Sequence, residues 1–104
     1  MSVVSVYVIF ANPEEAERIG RVVVEERLAA CINVLGPCRS IYRWQGAVED
    51  AAEVQVIAKT PTARAEALAA RLREIHPYEV PEIVTLEGRA SAAYGAWLVA
   101  ETAG

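Results

Sequence analysis

The sequence is poor in basic residues, and above all in lysine. Acidic residues outnumber basic residues by 14 to 10, the formal net charge is −4, and the isoelectric point is about 5.0. Proteins that bind nucleic acid usually carry a basic excess that neutralises phosphate groups. This charge balance therefore argues against a nucleic-acid partner. Nine of the ten basic residues are arginines, and Lys59 is the only lysine.

Long apolar runs and targeting signals are also missing. The longest apolar run covers residues 6–11, far fewer than the ~18 residues that a membrane span requires. Met1 is not followed by the basic stretch and cleavage site of a signal peptide. We therefore expect a cytoplasmic protein with no membrane partner. In that compartment Cys31 and Cys38 are expected to be reduced thiols.

The familiar cofactor and metal motifs are absent as well. There is no phosphate-binding GxxxxGK[ST] sequence and no GxGxxG sequence. The two cysteines have six residues between them, a spacing that fits neither a redox pair nor a zinc pair. The only aspartate, Asp50, falls in a predicted turn, which argues against a Ser-His-Asp triad. No cofactor is expected to be required.

Apolar residues make up 54% of the 104 residues, which indicates one folded domain over residues 1–104. Asn12 is expected to cap the first helix, and Gly20 on its apolar stripe is expected to let it approach a sheet closely. A bulge is expected at Gly36-Pro37. The predicted elements are strands at 3–11, 31–45, 52–60 and 82–87, helices from 13 to about 28, from about 61 to 75 and after Ser91, and a turn at 46–50.

This order of elements, β-α-β-β-α-β followed by a helix, is typical of a ferredoxin-like split βαβ sandwich. The predicted class is α+β, with a four-stranded antiparallel sheet, an extended central hairpin and an extra C-terminal helix. Two helices cover one face of such a sheet. The other face is expected to be polar, yet the first strand has apolar residues on both sides. We therefore expect the second face to pack against neighbouring subunits.

Residues 75–83, IHPYEVPEI, are the densest cluster of chemically active side chains. They include the only histidine, His76, two glutamates, a tyrosine and two prolines that stiffen the segment. Histidine exchanges protons near neutral pH and often binds metals. His76 with Glu79 or Glu82 is the candidate metal site. The alternative is that the segment is only a rigid connector between a helix and a strand.

The third strand has a second cluster, in which Glu53, Gln55, Ile57 and Lys59 alternate on one side. Lys59 can take part in an anion site or ion pair near the His76 segment, or its ammonium group can simply reach solvent. Tyr42 and Trp44 alternate on the second strand, where aromatic side chains belong to a core or an interface more often than to a ligand site.

At these residues the chain resembles the CutA family of divalent-cation tolerance proteins. The resemblance extends over almost the whole chain, and the His-Pro-Tyr-Glu-x-Pro-Glu segment is its most specific part. The similar segments, in the order of the family, are ERLAACIN (26–33), SIYRWQG (40–46), EVQVIAKT (53–60), HPYEVPEI (76–83) and YGAWL (94–98).

The resemblance implies a compact homotrimer of ferredoxin-like subunits, similar in architecture to PII-type nitrogen regulators. It also implies an association with copper and other divalent cations. Some members of the family have additional Cys or His residues where this chain has Phe10 and Ile75. The expected binding of Cu²⁺ or another divalent cation is therefore weak.

Three functions are compatible with the sequence. The first is a trimeric, ion- or ligand-responsive protein of the CutA type. The second is a stable scaffold that binds a protein partner, and the third is an enzyme that uses His76 as a general acid or base. The sequence offers no nucleophile or cofactor for such an enzyme, so catalysis is not expected. The inter-subunit clefts of the trimer are expected to be lined by Lys59, Tyr78, Glu79 and Glu82, with Trp44 near them.

Overall fold

The computed structural model describes residues 1–104 as a four-stranded antiparallel sheet with three helices. The order of the strands in the sheet is β2-β3-β1-β4, so the predicted α+β, ferredoxin-like fold is confirmed. The elements are β1 (Ser2–Phe10), α1 (Pro13–Glu25), β2 (Cys31–Trp44), β3 (Ala47–Thr60), a 3₁₀ turn (Thr62–Arg64), α2 (Ala65–Ile75), β4 (Ile83–Arg89) and α3 (Ala92–Thr102).

The hydrophobic core lies between one face of the sheet and the helices α1 and α2. Alternate residues of β1 and β3 point into it, because side chains on a strand alternate between the two faces. Ile19, Leu68 and Leu72 pack against them from the helices.

Asn12 caps α1 as predicted, since its Oδ1 accepts a hydrogen bond from the Glu15 N–H at 2.9 Å.

The opposite face of the sheet, called the open face below, has no helix over most of its area. The helix α3 contacts β3, and its Tyr94 lies beside Cys31, at one end of this face. Val84 and Leu86 of β4 are 46% and 47% exposed. The predicted apolar character of the second face is therefore present in the folded chain.

The β2–β3 hairpin extends beyond the rest of the sheet as a two-stranded arm, residues 38–53. The pairing of β1 with β3 ends at Val54, opposite Phe10, whereas β2 and β3 continue to pair as far as Trp44 and Ala47. The arm makes the molecule elongated, with extents of 45 × 23 × 22 Å. The predicted irregularity in β2 is confirmed by a shift of register between Val34 and Gly36.

Two predicted boundaries were wrong. The helix α1 ends at Glu25 rather than near Leu28, because Arg27 adopts a left-handed conformation with φ 62° that ends the helix. The hairpin turn consists of Gln45 and Gly46, both with positive φ, rather than of residues 46–50. A two-residue turn of this kind matches the twist of the strands, so β3 begins already at Ala47.

Candidate functional site

The main groove of the molecule lies on the open-face side of the arm, against the segment that follows α2. Its volume is about 620 Å³. The hairpin register puts Tyr42, Trp44 and Glu53 on the same face of the arm. Residues 78–82 form the other wall. The groove is lined by Ser40, Ile41, Tyr42, Trp44, Glu53, Tyr78, Glu79, Val80 and Glu82.

The charge in this groove is entirely negative. Its lining contains three glutamates, Glu53, Glu79 and Glu82, and neither lysine nor arginine. Glu53 is only 8% exposed, and none of the ion pairs in the structure includes it. Burying a charged group is costly unless it is paired and hydrogen-bonded. The electrostatics of the groove therefore favour a positively charged occupant.

Tyr78 connects the two walls of the groove. Its hydroxyl donates a hydrogen bond of 2.7 Å to Glu53 Oε2. Burial, together with the hydrogen bond to Glu53 and the negative charge of that side chain, raises the pKa of Tyr78 above its ordinary value. The tyrosine thus stays protonated and keeps donating to the carboxylate across the neutral pH range.

His76 lies behind the groove and is 7% exposed. Its Nδ1 accepts a hydrogen bond from the Tyr78 N–H at 3.1 Å, so the ring proton is on Nε2, which donates to the carbonyl oxygen of Ile9 at 2.7 Å. Its ring stacks on Phe10 with centroids 4.7 Å apart and an interplanar angle of 9°. Both ring nitrogens are engaged, so His76 has no free lone pair for a metal ion in this conformation.

The remaining candidate metal ligands do not converge within one chain. Glu79 and Glu82 are exposed along the groove. No three His, Cys, Asp or Glu side chains are grouped so as to hold a metal ion. A single chain therefore does not supply the set of four or more protein ligands that a tight structural metal site requires. Its exposed carboxylates suit only loose binding of hard or borderline cations.

Lys59 is not part of this groove. It is paired with Cys31 and Ser5, at the other end of the open face. Glu53 and Lys59 are six residues apart on the same strand, a separation of ~20 Å. The lysine side chain is half-buried and forms neither a hydrogen bond nor an ion pair within the chain. Within one chain, therefore, Lys59 and the 78–82 segment are not brought together.

Of the residues predicted for the site, Trp44, Tyr78, Glu79 and Glu82 line one groove, whereas His76 supports it from behind. Nothing in the sequence pattern marks Glu53 as a site residue, although it is the most buried acid of the groove. Its alternation with Lys59 indicated that it lies on the open face. The long-range contact with Tyr78, across 25 residues of sequence, had no local signal.

The model of the CutA1 divalent ion tolerance protein family matches residues 4–101. The chain therefore belongs to this family. It is 47% identical over 75 residues to the divalent-cation tolerance protein CutA of Thermus thermophilus, which covers 72% of this chain and 73% of that protein. It is 42% identical over 85 residues to Protein CutA of Mus musculus, which covers 82% of this chain. The chain spans about half the length of that relative, 48%.

Solved structures of similar proteins support the same assignment of the fold. CutA1 from Oryza sativa superposes with a TM-score of 0.92 at 33% identity, covering 99% of this chain and 95% of that one. A structure from Archaeoglobus fulgidus has a TM-score of 0.92 at 28% identity over 97% of this chain and 99% of that one. It is described as a periplasmic divalent cation tolerance protein. The names of the family and of the proteins from Thermus thermophilus and Archaeoglobus fulgidus refer to divalent ion or cation tolerance, and they make no catalytic claim.

No helix of this chain combines the length and the apolar character needed to cross a membrane.

Both cysteines are free thiols, and both are partly buried.

Proposed function

We propose that the chain acts as a homotrimeric, cation-responsive protein of the CutA type, and that the groove beside the arm is its cation site. One observation carries this proposal. The groove combines three carboxylates with no basic side chain, and the most buried of them, Glu53, has no cationic partner.

The arm and the open face supply the argument for a homotrimer. A two-stranded hairpin is at best marginally stable alone in water, and the arm exposes 71% of Ile41 and 66% of Val48. The open face exposes Val84 and Leu86. A contact between the arm of one copy and the open face of the next is heterologous, and rings satisfy such contacts without leaving a free end. Three copies form the ring that the sequence resemblance implies.

In this trimer we propose that Lys59 of one subunit approaches the groove of its neighbour. Lys59 and the groove are at opposite ends of the open face in one chain, and Lys59 has no oppositely charged partner there. A ring of copies related head to tail can join the two ends. Each cleft would then be bordered by Tyr78, Glu79 and Glu82 of one subunit and by Lys59 of the next.

Divalent cations, including Cu²⁺, are proposed to bind weakly to the exposed carboxylates of Glu79 and Glu82. The occupied ring nitrogens of His76 remove the chemical reason for a strong preference for copper, because imidazole is the ligand that favours the later transition metals. Carboxylates alone bind such ions loosely in an open, hydrated groove.

The oligomeric state is tested by sedimentation equilibrium at micromolar concentration. A trimer of 11.3 kDa chains has a mass of about 34 kDa. The double substitution Ile41→Glu and Val48→Glu is expected to shift the mass toward that of one chain, whereas Ala67→Glu on the exposed side of α2 leaves it unchanged. A wild-type mass near 11 kDa would rule out the trimer.

The cation site is tested by calorimetric titration with Cu²⁺ and with Mg²⁺. We expect weak binding that is reduced by the double substitution Glu79→Gln and Glu82→Gln. The control is Glu66→Gln, an exposed glutamate on α2 outside the groove. If the double variant binds Cu²⁺ as the wild type does, the groove is not the divalent-cation site.

A cytoplasmic location is the remaining part of the proposal. Two free thiols accord with a reducing compartment. Cell fractionation with antibody detection tests it, and recovery of the chain in a periplasmic fraction would contradict it.

A further inference from the structure

We infer that the groove selects a small organic ammonium ion, held between the carboxylate of Glu53 and the rings of Tyr42 and Trp44. This inference rests on the proposed function, in that both assign the groove as a cation site, and it names the chemical class of the ligand. Three features of the groove favour such an ion: a buried carboxylate, aromatic walls and a donor set that does not suit a bare metal ion.

The buried carboxylate of Glu53 is only half satisfied. Its Oε2 accepts the hydrogen bond from Tyr78, whereas no donor of the chain is bonded to its Oε1. The residue is 8% exposed, and that remaining surface opens on the groove. Hydrogen bonds to charged groups are stronger than neutral ones. An N–H⁺ donor, or a positively charged methylammonium group, at Oε1 is therefore the complement that this site lacks.

The walls of the groove are aromatic. Tyr42 and Trp44 line it beside Tyr78, and Tyr42 lies close enough to Tyr78 to influence its pKa. Tyr42 is 42% and Trp44 is 37% exposed, so ring surface is available to a ligand. The faces of Trp and Tyr rings attract cations, and they do so most for alkylated ammonium groups that shed water easily. A carboxylate beside two such rings is a recognition site for this class of ion.

A bare metal ion fits the inner part of the groove less well. Calcium needs six to eight oxygen ligands, and structural zinc needs four nitrogen or sulfur ligands. Glu53, Glu79 and Glu82 do not form a group around one point, and aromatic rings offer no such ligands. The volume of about 620 Å³ instead falls within the range of small-molecule sites. The part of the groove that one chain supplies has three carboxylates and no basic residue, which also disfavours anionic ligands.

The chain contains its own reporter for this site. It has two tryptophans, Trp44 in the groove and Trp97 on α3. In the Trp97→Phe variant the fluorescence comes from Trp44 alone. The probe is choline, and the control is dimethylbutanol, its uncharged carbon isostere. We expect choline to change the Trp44 emission saturably, and dimethylbutanol to bind at least about tenfold more weakly.

Calorimetric titration of choline against variants then separates the contributing groups. Glu53→Gln and Trp44→Leu are each expected to weaken binding at least about tenfold, which corresponds to about 1.4 kcal/mol. Glu66→Gln and Trp97→Leu, which change the same residue types outside the groove, are expected to leave it unchanged. Melting temperatures identify any variant that fails to fold, and Tyr42→Leu on the exposed arm is then the substitute variant.

Three outcomes would overturn the inference. The first is equal binding of choline and dimethylbutanol, and the second is unchanged choline binding in folded Glu53→Gln and Trp44→Leu. The third is choline binding by the Lys59→Ala variant but not by the wild type, because the Lys59 ammonium group of a neighbouring subunit would then fill the groove in the wild type. If choline does not bind while Cu²⁺ binding still depends on Glu79 and Glu82, the groove remains the proposed cation site, but the inference that it selects organic ammonium ions is wrong. If neither binds, both proposals fail.

Discussion

The hydroxyl of Tyr78 donates a 2.7 Å hydrogen bond to the carboxylate of Glu53, a residue 25 positions earlier in the sequence. This bond fastens the segment after α2 to the base of the arm. The backbone N–H of Tyr78 is held at the same time by His76 Nδ1. Two independent bonds thus fix one tyrosine, and the shape of the groove depends on that residue.

Removing the Tyr78 hydroxyl is expected to destabilise the chain through Glu53. Tyr78→Phe leaves a buried carboxylate without its only donor, and the loss of a hydrogen bond to a charged group costs about 1.5–3 kcal/mol. Urea denaturation at neutral pH measures the free energy of unfolding. The matched control is Tyr7→Phe on β1, whose hydroxyl has no hydrogen-bond partner in the chain. Equal small effects of the two substitutions would show that the Tyr78–Glu53 bond contributes nothing.

The same residue predicts how stability depends on alkaline pH. The ordinary pKa of tyrosine is 10.0, and burial together with Glu53 raises the pKa of Tyr78 in the folded chain. Above pH 10 the unfolded chain therefore loses this proton while the folded chain keeps it, so the free energy of unfolding falls as the pH rises. We expect a steeper fall for the wild type than for Tyr78→Phe between pH 10 and 11, measured by urea denaturation. Parallel profiles would contradict this assignment.

Most of the fold could be predicted from local patterns in the sequence. Alternating apolar residues predicted the strands, and Asn12 and Ser91 marked where helices begin. The errors arose where a single residue takes a left-handed conformation without being glycine. Arg27 ends α1 and Gln45 opens the hairpin turn in this way, and neither residue type favours positive φ. The pairing of β2 with β3 fixes the turn at Gln45, and the hydrogen bonds from the Arg27 guanidinium to the carbonyl oxygens of Glu101 and Ala103 hold Arg27 in place.

The site was less predictable than the fold. Residues 75–83 stand out in the sequence because their composition is unusual. Both ring nitrogens of His76 are hydrogen-bonded, one to Ile9 and the other to Tyr78. These bonds depend on the position of the segment after α2 beside the end of β1. A histidine followed by prolines and glutamates gives the same sequence pattern whether it binds a metal or supports a loop. Only the three-dimensional partners distinguish the two roles.

The hairpin turn provides a test of conformational strain. Gly46 has φ 84°, a conformation that costs an L-residue roughly 1–2 kcal/mol. Gly46→Ala is therefore expected to lower the free energy of unfolding by about 1 kcal/mol. Gly88→Ala is the control, because Gly88 has no positive φ and an added Cβ meets only Val3, at 3.9 Å. Asn is favoured at the first turn position, so Gln45→Asn is expected to raise the free energy of unfolding. Equal losses at Gly46 and Gly88 would refute the strain argument.

Close packing of α1 on the sheet depends on Gly20. A Cβ added there would lie 3.0 Å from Ile32 Cγ2, so a larger side chain must push the helix away from β2. Overpacking of this kind costs about 1–3 kcal/mol, and we expect that loss for Gly20→Val in chemical denaturation. Arg18→Val, on the exposed side of the same helix, isolates the helix propensity of valine, whose cost is below about 1 kcal/mol. A loss no greater at Gly20 than at Arg18 would show that the contact with Ile32 is unimportant.

His76 is expected to stabilise the fold without binding the metal ion. His76→Ala removes the stacking on Phe10 and leaves the buried carbonyl of Ile9 without its donor, a combination that should cost about 2–4 kcal/mol. His76→Gln is the matched variant, because its amide N–H can replace Nε2 as the donor to Ile9, and we expect it to retain part of that stability. Copper titration of both variants, below their melting temperatures, should give the affinity of the wild type. A loss of Cu²⁺ affinity in folded His76→Gln, with no effect of Glu79→Gln and Glu82→Gln, would instead make the imidazole a ligand and require its ring to leave both present hydrogen bonds.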